Sequence, residues 1–295
     1  MTATDIIRLL RPHQWVKNGF VLLPAFFSGN IADRPTIIGC MIALVSFCLA
    51  SSAVYCLNDV RDAEADRTHP KKRLRPIASG AVSPASAIVI MVLLFAVSLA
   101  MTLTLLPAPY NITATAILAV YVVMNIAYCL RLKHLTLVDV FIISVGFVLR
   151  VAIGGAATGI FISHWIILMT FLLALFLALS KRRDDLIIYR NTGVKPRRNI
   201  HRYNLDFMSQ ATTLVSTTML VCYIMYTVSA EVIERMHSGM VYVTTVFVLA
   251  GLLRYTQLTV VDVKSGSPTR ILLHDRFIYC CVGGWLITFF IIIYL

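Results

Sequence analysis

Long apolar runs constrain this chain more than anything else in it. An α-helix needs roughly 18 to 25 such residues to cross the hydrocarbon layer of a bilayer. Runs of that kind recur near 16–33, 36–57, 84–106, 112–130, 137–160, 163–180, 208–230, 239–258 and 277–295. They predict an all-α, polytopic membrane protein with nine transmembrane helices and a single domain over residues 1–295. Hydrophobic residues make up 59% of the chain and charged ones only 14%, which excludes an ordinary soluble domain. The first run is the weakest: Asn18, Pro24 and Gly29 interrupt it, so it reads as partly re-entrant or tilted.

Charge fixes the expected topology. Of 26 Lys and Arg residues, 23 fall before or at the start of the first run (Arg8, Arg11, Lys17) or in and at the edges of the loops 2–3, 4–5, 6–7 and 8–9, Arg34 and Arg235 fall on the other side, and Arg150 lies within the fifth run. The positive-inside rule then makes the N-terminus and those loops cytoplasmic and the C-terminus external. The net charge of +12 is thereby explained as topology and calls for no nucleic acid. No cleavable signal peptide is evident, since no small-residue cleavage site follows the first run. The seven cysteines (40, 48, 56, 129, 222, 280 and 281) mostly sit inside expected helices without metal-ligand spacing, and read as packing residues.

The densest charge cluster, Leu57–Gly80, directly follows the second run. At about 100° per residue, Asn58, Asp59, Asp62 and Asp66 share an arc of roughly a quarter turn with Tyr55, while Glu64 points the other way. Carboxylates so close repel one another unless a cation sits among them. Oxygen ligands without His or Cys suit Mg²⁺, which commonly leaves its other positions to water and phosphate. Arg67, Lys71, Lys72, Arg73 and Arg75 supply the basic half of a phosphate site. The plainer alternative is a solvated polar cap on a membrane helix. Arg75-Pro76 and Ser79-Gly80 carry turn chemistry that folds the basic segment back over the helix end.

Other polar groups fall on the same side. Trp15 and Lys17, within Arg11–Asn18, serve either as interfacial anchors or as site residues. Tyr128, Arg131 and Lys133 close the fourth run. Lys181, Asp185 and Tyr189 share a helical face at the end of the sixth, with Arg182 alongside, and can point into the space of the first cluster. The two clusters lie four spans apart, which hints at two four-helix units plus one helix. The rest of the segment Arg190 to Arg202 suits anionic headgroups. Arg254-Tyr255 and His274-Asp275-Arg276 flank loop 8–9 within reach of the same side. Arg150, at membrane depth ahead of Gly154-Gly155, is either a site residue or the partner of a helix-end carbonyl.

The N-D-x-x-D-x-x-x-D at 58–66, the Arg-Pro and Ser-Gly at 75–80 and the Tyr128 to Lys133 pair resemble the UbiA superfamily of intramembrane prenyltransferases over nearly the whole chain. The resemblance implies nine helices around a central cavity that opens to lipid, capped by cytoplasmic loops 2–3 and 6–7, in a bacterial plasma membrane. Members that prenylate aromatic acceptors usually carry a second motif, D-x-x-x-D, where this chain has Ser180-Lys-Arg-Arg-Asp-Asp185-Leu. With R-P-x-Q-W-V-K-N at 11–18, Y-C-x-x-L-K-H at 128–134, L-R-Y at 253–255 and D-R at 275–276, it is most similar to the branch that moves phosphoribosyl onto decaprenyl phosphate.

That resemblance implies phosphoribosyl diphosphate and a polyprenyl phosphate as substrates, and Mg²⁺ as cofactor. It assigns Asp59, Asp62 and Asp66, with Asn58, to the metal and leaving diphosphate. Lys17, Arg75, Lys133, Lys181 and Arg182 fall to the remaining phosphates, with Tyr128, Asp185 and Tyr189 at the substrate. A homo-oligomer stays open. Three rivals stand beside this reading. A prenyltransferase using a polyprenyl diphosphate and an aromatic or glycerol-phosphate acceptor needs the missing D-x-x-x-D. A transporter would carry its polar residues at the midplane. A membrane scaffold gives no reason for aligned carboxylates.

Overall fold

Helix breaks in this chain coincide with its prolines, glycines and charged turns. The computed structural model describes residues 2–68, 72–193, 200–262, 271 and 274–294. Lys71, the stretch 194–199 of the basic segment, the stretch 263–270 of the expected loop 8–9, and Leu295 lie outside them. Every regular element among the described residues is helical, and eight helices there are long and apolar enough to cross a bilayer. The chain forms two compact units, Met1–Lys133 with Val145–Ile162, and His134–Ser144 with Ser163–Leu295.

In the first unit, α1 (Ala3–Leu10) starts in a capping box between Thr2 and Asp5 and ends at Arg11, whose φ of 52° turns the chain. The expected first span is not an α-helix. It is a 3-10 run, Pro12–Leu22, followed by the five-residue α2 (Leu23–Phe27) and a turn at Gly29. Eleven residues of 3-10 helix far exceed the usual three or four, so tertiary bonds must hold them. Trp15 Nε1 donates to Ser52 Oγ (3.0 Å), and Asn18 Nδ2 donates to Ser51 Oγ (3.2 Å) and Cys48 Sγ (3.1 Å). The interrupting Asn18 is therefore the residue that fastens the run.

The longest element, α3 (Arg34–Arg67), begins under an Asp33 cap, whose carboxylate accepts from Thr36 N at 3.1 Å. Its 34 residues rise about 51 Å, against about 30 Å of hydrocarbon. The excess carries the acidic motif beyond the apolar layer without breaking the helix. Small residues line its packed face: Ala43, Ser46, Ala50, Ser51 and Ala53 are buried, and a Cβ at Gly39 would stand 2.8 Å from the Ala157 carbonyl. The helices α4 (Pro84–Leu105) and α5 (Tyr110–Leu130), with the later part of α6 (Val138–Thr158), complete a core around Val21, Phe47, Leu118 and Ile153.

The second unit contains α7 (His164–Thr192), α8 (Leu205–Thr227), the short α9 (Ala230–Met236), α10 (Thr245–Val260), which continues a 3-10 turn at Gly239–Thr244, and α11 (Arg276–Tyr294). The sixth apolar run thus forms a helix that extends through its charged end to Thr192. Val140, Leu175, Leu179 and Met208 form one core of this unit, and Phe176, Tyr255, Leu258 and Ile278 another.

Candidate active site

At the overhanging end of α3 each aspartate of the motif faces a cation. Arg11 Nη2 donates to both oxygens of Asp59, at 2.5 and 2.8 Å, while its guanidinium lies 5.1 Å from the Tyr55 ring centre. Arg75 Nη1 bridges Asp59 (3.1 Å) and Asp66 (2.6 Å). Lys133 Nζ donates to Asp62 (2.5 Å) and to the Asn58 amide oxygen (3.3 Å). Asp59 is 1% exposed and Asp66 3%, so their pairing replaces water almost completely, whereas the Asp62 side chain retains 33% of its surface. Glu64, on the opposite face, is exposed.

Each cation is delivered from a bend. Arg11 comes from the left-handed junction after α1, held by the Ser52 hydroxyl, which donates to the Leu10 carbonyl at 2.8 Å. Arg75 follows a turn of 3-10 helix at Lys72–Leu74, and the chain then folds back as its Pro-Ser-Gly chemistry predicts: Val82 N donates to Pro76 O, and Ile77 and Val82 pack with Leu9, Cys56 and Ala87. Lys133 stands in the short 3-10 turn Leu132–His134 beyond α5.

The grouping differs from the sequence expectation in one respect. Asp59 and Asp66 gather about Arg75, while Asp62 turns to Lys133, and among the described residues no three acidic, His or Cys side chains close on a single point as a metal cage. The cause is local: three cations lie within hydrogen-bonding distance, and each relieves the repulsion that three bare carboxylates would suffer. The donors remain oxygen-only and carry three negative charges on one face, a set that fits a hard divalent cation once its ammonium and guanidinium partners move aside.

Asn58, Asp59, Asp62 and Asp66 thus lie together with Arg75 and Lys133, expected at phosphates, which here pair with the carboxylates and the amide. Tyr128 is half-buried against the core of this unit, and Lys17 sits half-buried in the 3-10 run. Arg11 is the residue that the sequence reading missed as a site residue; its only signal is its place at the head of the R-P-x-Q-W-V-K-N segment. In the second unit, Lys181 is exposed, and Asp185 and Tyr189 are half-buried. Arg182, expected at a phosphate, is instead engaged with acids: it is 1% exposed, its Nε donates to Asp139 at 2.7 Å, and its Nη1 lies 3.4 Å from Asp185. Tyr203 OH also donates to Asp139, at 3.2 Å. A fully buried carboxylate on the neighbouring stretch of α6 competes successfully for that guanidinium.

Helices long and apolar enough to cross a bilayer, one of them ending in a cluster of paired acids and bases, define a polytopic membrane protein with a charged centre at a helix end. The model of the UbiA prenyltransferase family matches residues 20–281, and the chain belongs to that family. It is 35% identical, over 97% of its length and 93% of theirs, to the decaprenyl-phosphate phosphoribosyltransferase of Mycobacterium tuberculosis. To the protein of that name from Mycolicibacterium smegmatis it is 34% identical, over 96% of this chain and 91% of the relative. Among solved structures, a UbiA homolog from Archaeoglobus fulgidus bound to GPP and Mg²⁺ superposes with a TM-score of 0.72 over 99% of this chain and all of the other, at 17% identity. The protein is a multi-pass membrane protein of this fold.

Proposed function

We propose that the protein transfers the 5-phosphoribosyl group of phosphoribosyl diphosphate to a polyprenyl monophosphate, decaprenyl phosphate by the names of its relatives, and releases diphosphate. The observation that carries this reading is the near-full-length likeness to the two mycobacterial phosphoribosyltransferases. The electrostatics agree. The substrates bring three phosphate-bearing groups, and the chain offers Arg11, Arg75 and Lys133 around the motif, with Lys181 as a further cation where relatives of another type carry an acid. Residues 1–295 act as one domain in this proposal, since the family match runs through both units.

A divalent ion, Mg²⁺ in this proposal, would be held by Asp59, Asp62 and Asp66 with the Asn58 carbonyl, and would supply neutralisation of charge on the departing diphosphate. The three cations released from the carboxylates turn to phosphate oxygens, so the site exchanges one set of ion pairs for another. At the ribose the C1–oxygen bond to diphosphate breaks, the pair of electrons leaving with diphosphate, and an oxygen of the lipid phosphate forms the new bond to C1. That acceptor is anionic near neutral pH and needs no general base, in keeping with a motif free of histidine. By the charge count the motif end of α3 is cytoplasmic. This product suits the supply of pentose units for cell-envelope polysaccharide.

The test is direct. Purified protein with labelled phosphoribosyl diphosphate, Mg²⁺ and polyprenyl phosphates of several lengths should yield labelled lipid and diphosphate only when all three are present. Consumption of a polyprenyl diphosphate with prenylation of an aromatic acid, and no use of the ribosyl donor, would refute the proposal.

A further inference from the structure

Arg150 lies in the apolar part of α6, 7% exposed, and belongs to no ion pair among the described residues. A guanidinium at that depth is costly and is kept where it serves a site or a contact of consequence. Its charge is met by aromatic faces, with the guanidinium carbon 4.8 Å from the centre of Phe47, 5.0 Å from Phe147 and 5.3 Å from Tyr121. Its Nη1 donates to the Gly146 carbonyl at 2.8 Å and its Nη2 approaches Tyr121 OH at 3.5 Å. The remaining bond matters most: Nε donates to Asn18 Oδ1 at 2.8 Å.

Asn18 is 1% exposed, and its amide is used from both ends. The oxygen accepts from Arg150 on α6, and the nitrogen donates to Ser51 and Cys48 on α3. The 3-10 run is thus clamped between two helices at Asn18, and one turn earlier Trp15 fixes it to Ser52, whose hydroxyl in turn holds the Leu10 carbonyl. The next residue is Arg11, with both contacts to the nearly unexposed Asp59. A run of 3-10 helix this long has little stability of its own, so the position of Arg11 depends on what fastens the run.

We infer that Arg150 is a positioning residue of the candidate site: through Asn18 it holds the 3-10 run against α3 and so sets Arg11 on Asp59. Rotation of the Asn18 amide is fixed by Arg150, because only an oxygen can accept from the guanidinium and only the nitrogen can donate to α3. This rests on the proposed function for its kinetic consequence, but not for its structural one.

Two measurements test it. Spin labels at His13 and Arg61, both exposed, are introduced with Cys222 and Cys280, the two cysteines that are not buried, replaced by Ser. The distance distribution should be narrow in the parent and broaden in Arg150→Met and in Asn18→Leu; an unchanged distribution in both would overturn the inference, whatever reaction the protein catalyses. Arg150→Met should also lower kcat/KM for the ribosyl donor by about tenfold or more when Arg11 is present, and by less than about twofold in an Arg11→Ala background. Equal losses in the two backgrounds would show that Arg150 does not act through Arg11. Arg150→Lys, which keeps the charge but lacks the planar guanidinium fork that reaches Asn18 and Gly146 from separate nitrogens, should fall between. If no phosphoribosyl transfer is found at all, the spin-label arm still decides the structural claim, so the two failures are distinct.

Discussion

All three aspartates of the motif sit on one rigid helix, whereas the cations that reach them come from segments between helices: Arg11 from the bend after α1, Arg75 from the turn after α3, Lys133 from the turn after α5. The acids thus share one helix, and turns and bends bring the bases to them. If the acids hold the proposed metal and diphosphate, replacing Asp59, Asp62 or Asp66 by Asn should cost roughly 100-fold or more in turnover, through loss of charge there. Glu64→Gln on the exposed face should be nearly silent, and comparable damage there would refute the facial argument. The paired basic residues of α7 separate in the same way. Arg182→Ala strands Asp139, 0% exposed, and should lower stability by about 3–5 kcal/mol, seen as an early thermal transition. Lys181→Ala, at an exposed position, should melt like the parent and lose about 30-fold or more in kcat/KM if it receives a phosphate. The carboxylate face was legible because one helical period governs all four positions from 58 to 66. The Arg11 contact was not, because 48 residues separate it from Asp59 and nothing local encodes such a meeting.

Among the elements, the long apolar runs announced themselves by length, and the acidic motif by its position at a helix end. The 3-10 run did not. It opens the weakest of the apolar runs, in which Asn18 and Pro24 read as interruptions, whereas Asn18 supplies the bonds that hold a different kind of helix in place. What admits this run so close to α6 is Gly154: a Cβ there would clash with the Val21 carbonyl oxygen and approach its carbon to 2.9 Å. Gly154→Ala should force the run away and lower the thermal transition by an amount matching about 1–3 kcal/mol, the usual cost of overpacking. Gly19→Ala, where an added Cβ meets nothing within 4 Å, is the matched control and should be near neutral. Equal transitions for the two variants would contradict the close approach.

For the molecule as a whole, eight helices among the described residues are long and apolar enough to cross a bilayer, against an expectation of nine crossings, and the difference falls at the first run. Arg11 touches Asp59 near one end of α3 and Arg34 begins the other, some 25 residues or about 38 Å away, and the stretch 12–33, a 3-10 run followed by the five-residue α2, runs between those two ends. Cysteine labelling checks this: Ser79→Cys should react only from the cytoplasmic side, and Asn30→Cys and a cysteine at Leu295 only from outside. Reaction of Ser79→Cys in intact cells would invert the scheme. The length of α3 has a further consequence. An apolar portion of set length continues into an acidic end on the same helix, which ties the immersion of that end to the thickness of the bilayer that the apolar portion spans. A thicker membrane can be met by straightening a tilted helix only up to a limit, beyond which mismatch is relieved by deforming lipid or submerging the end. In proteoliposomes of increasing acyl-chain length, turnover should hold steady and then fall once the hydrocarbon exceeds the helix's apolar span. Acyl-chain length would thereby become a dial on the chemistry proposed for the acidic end of α3.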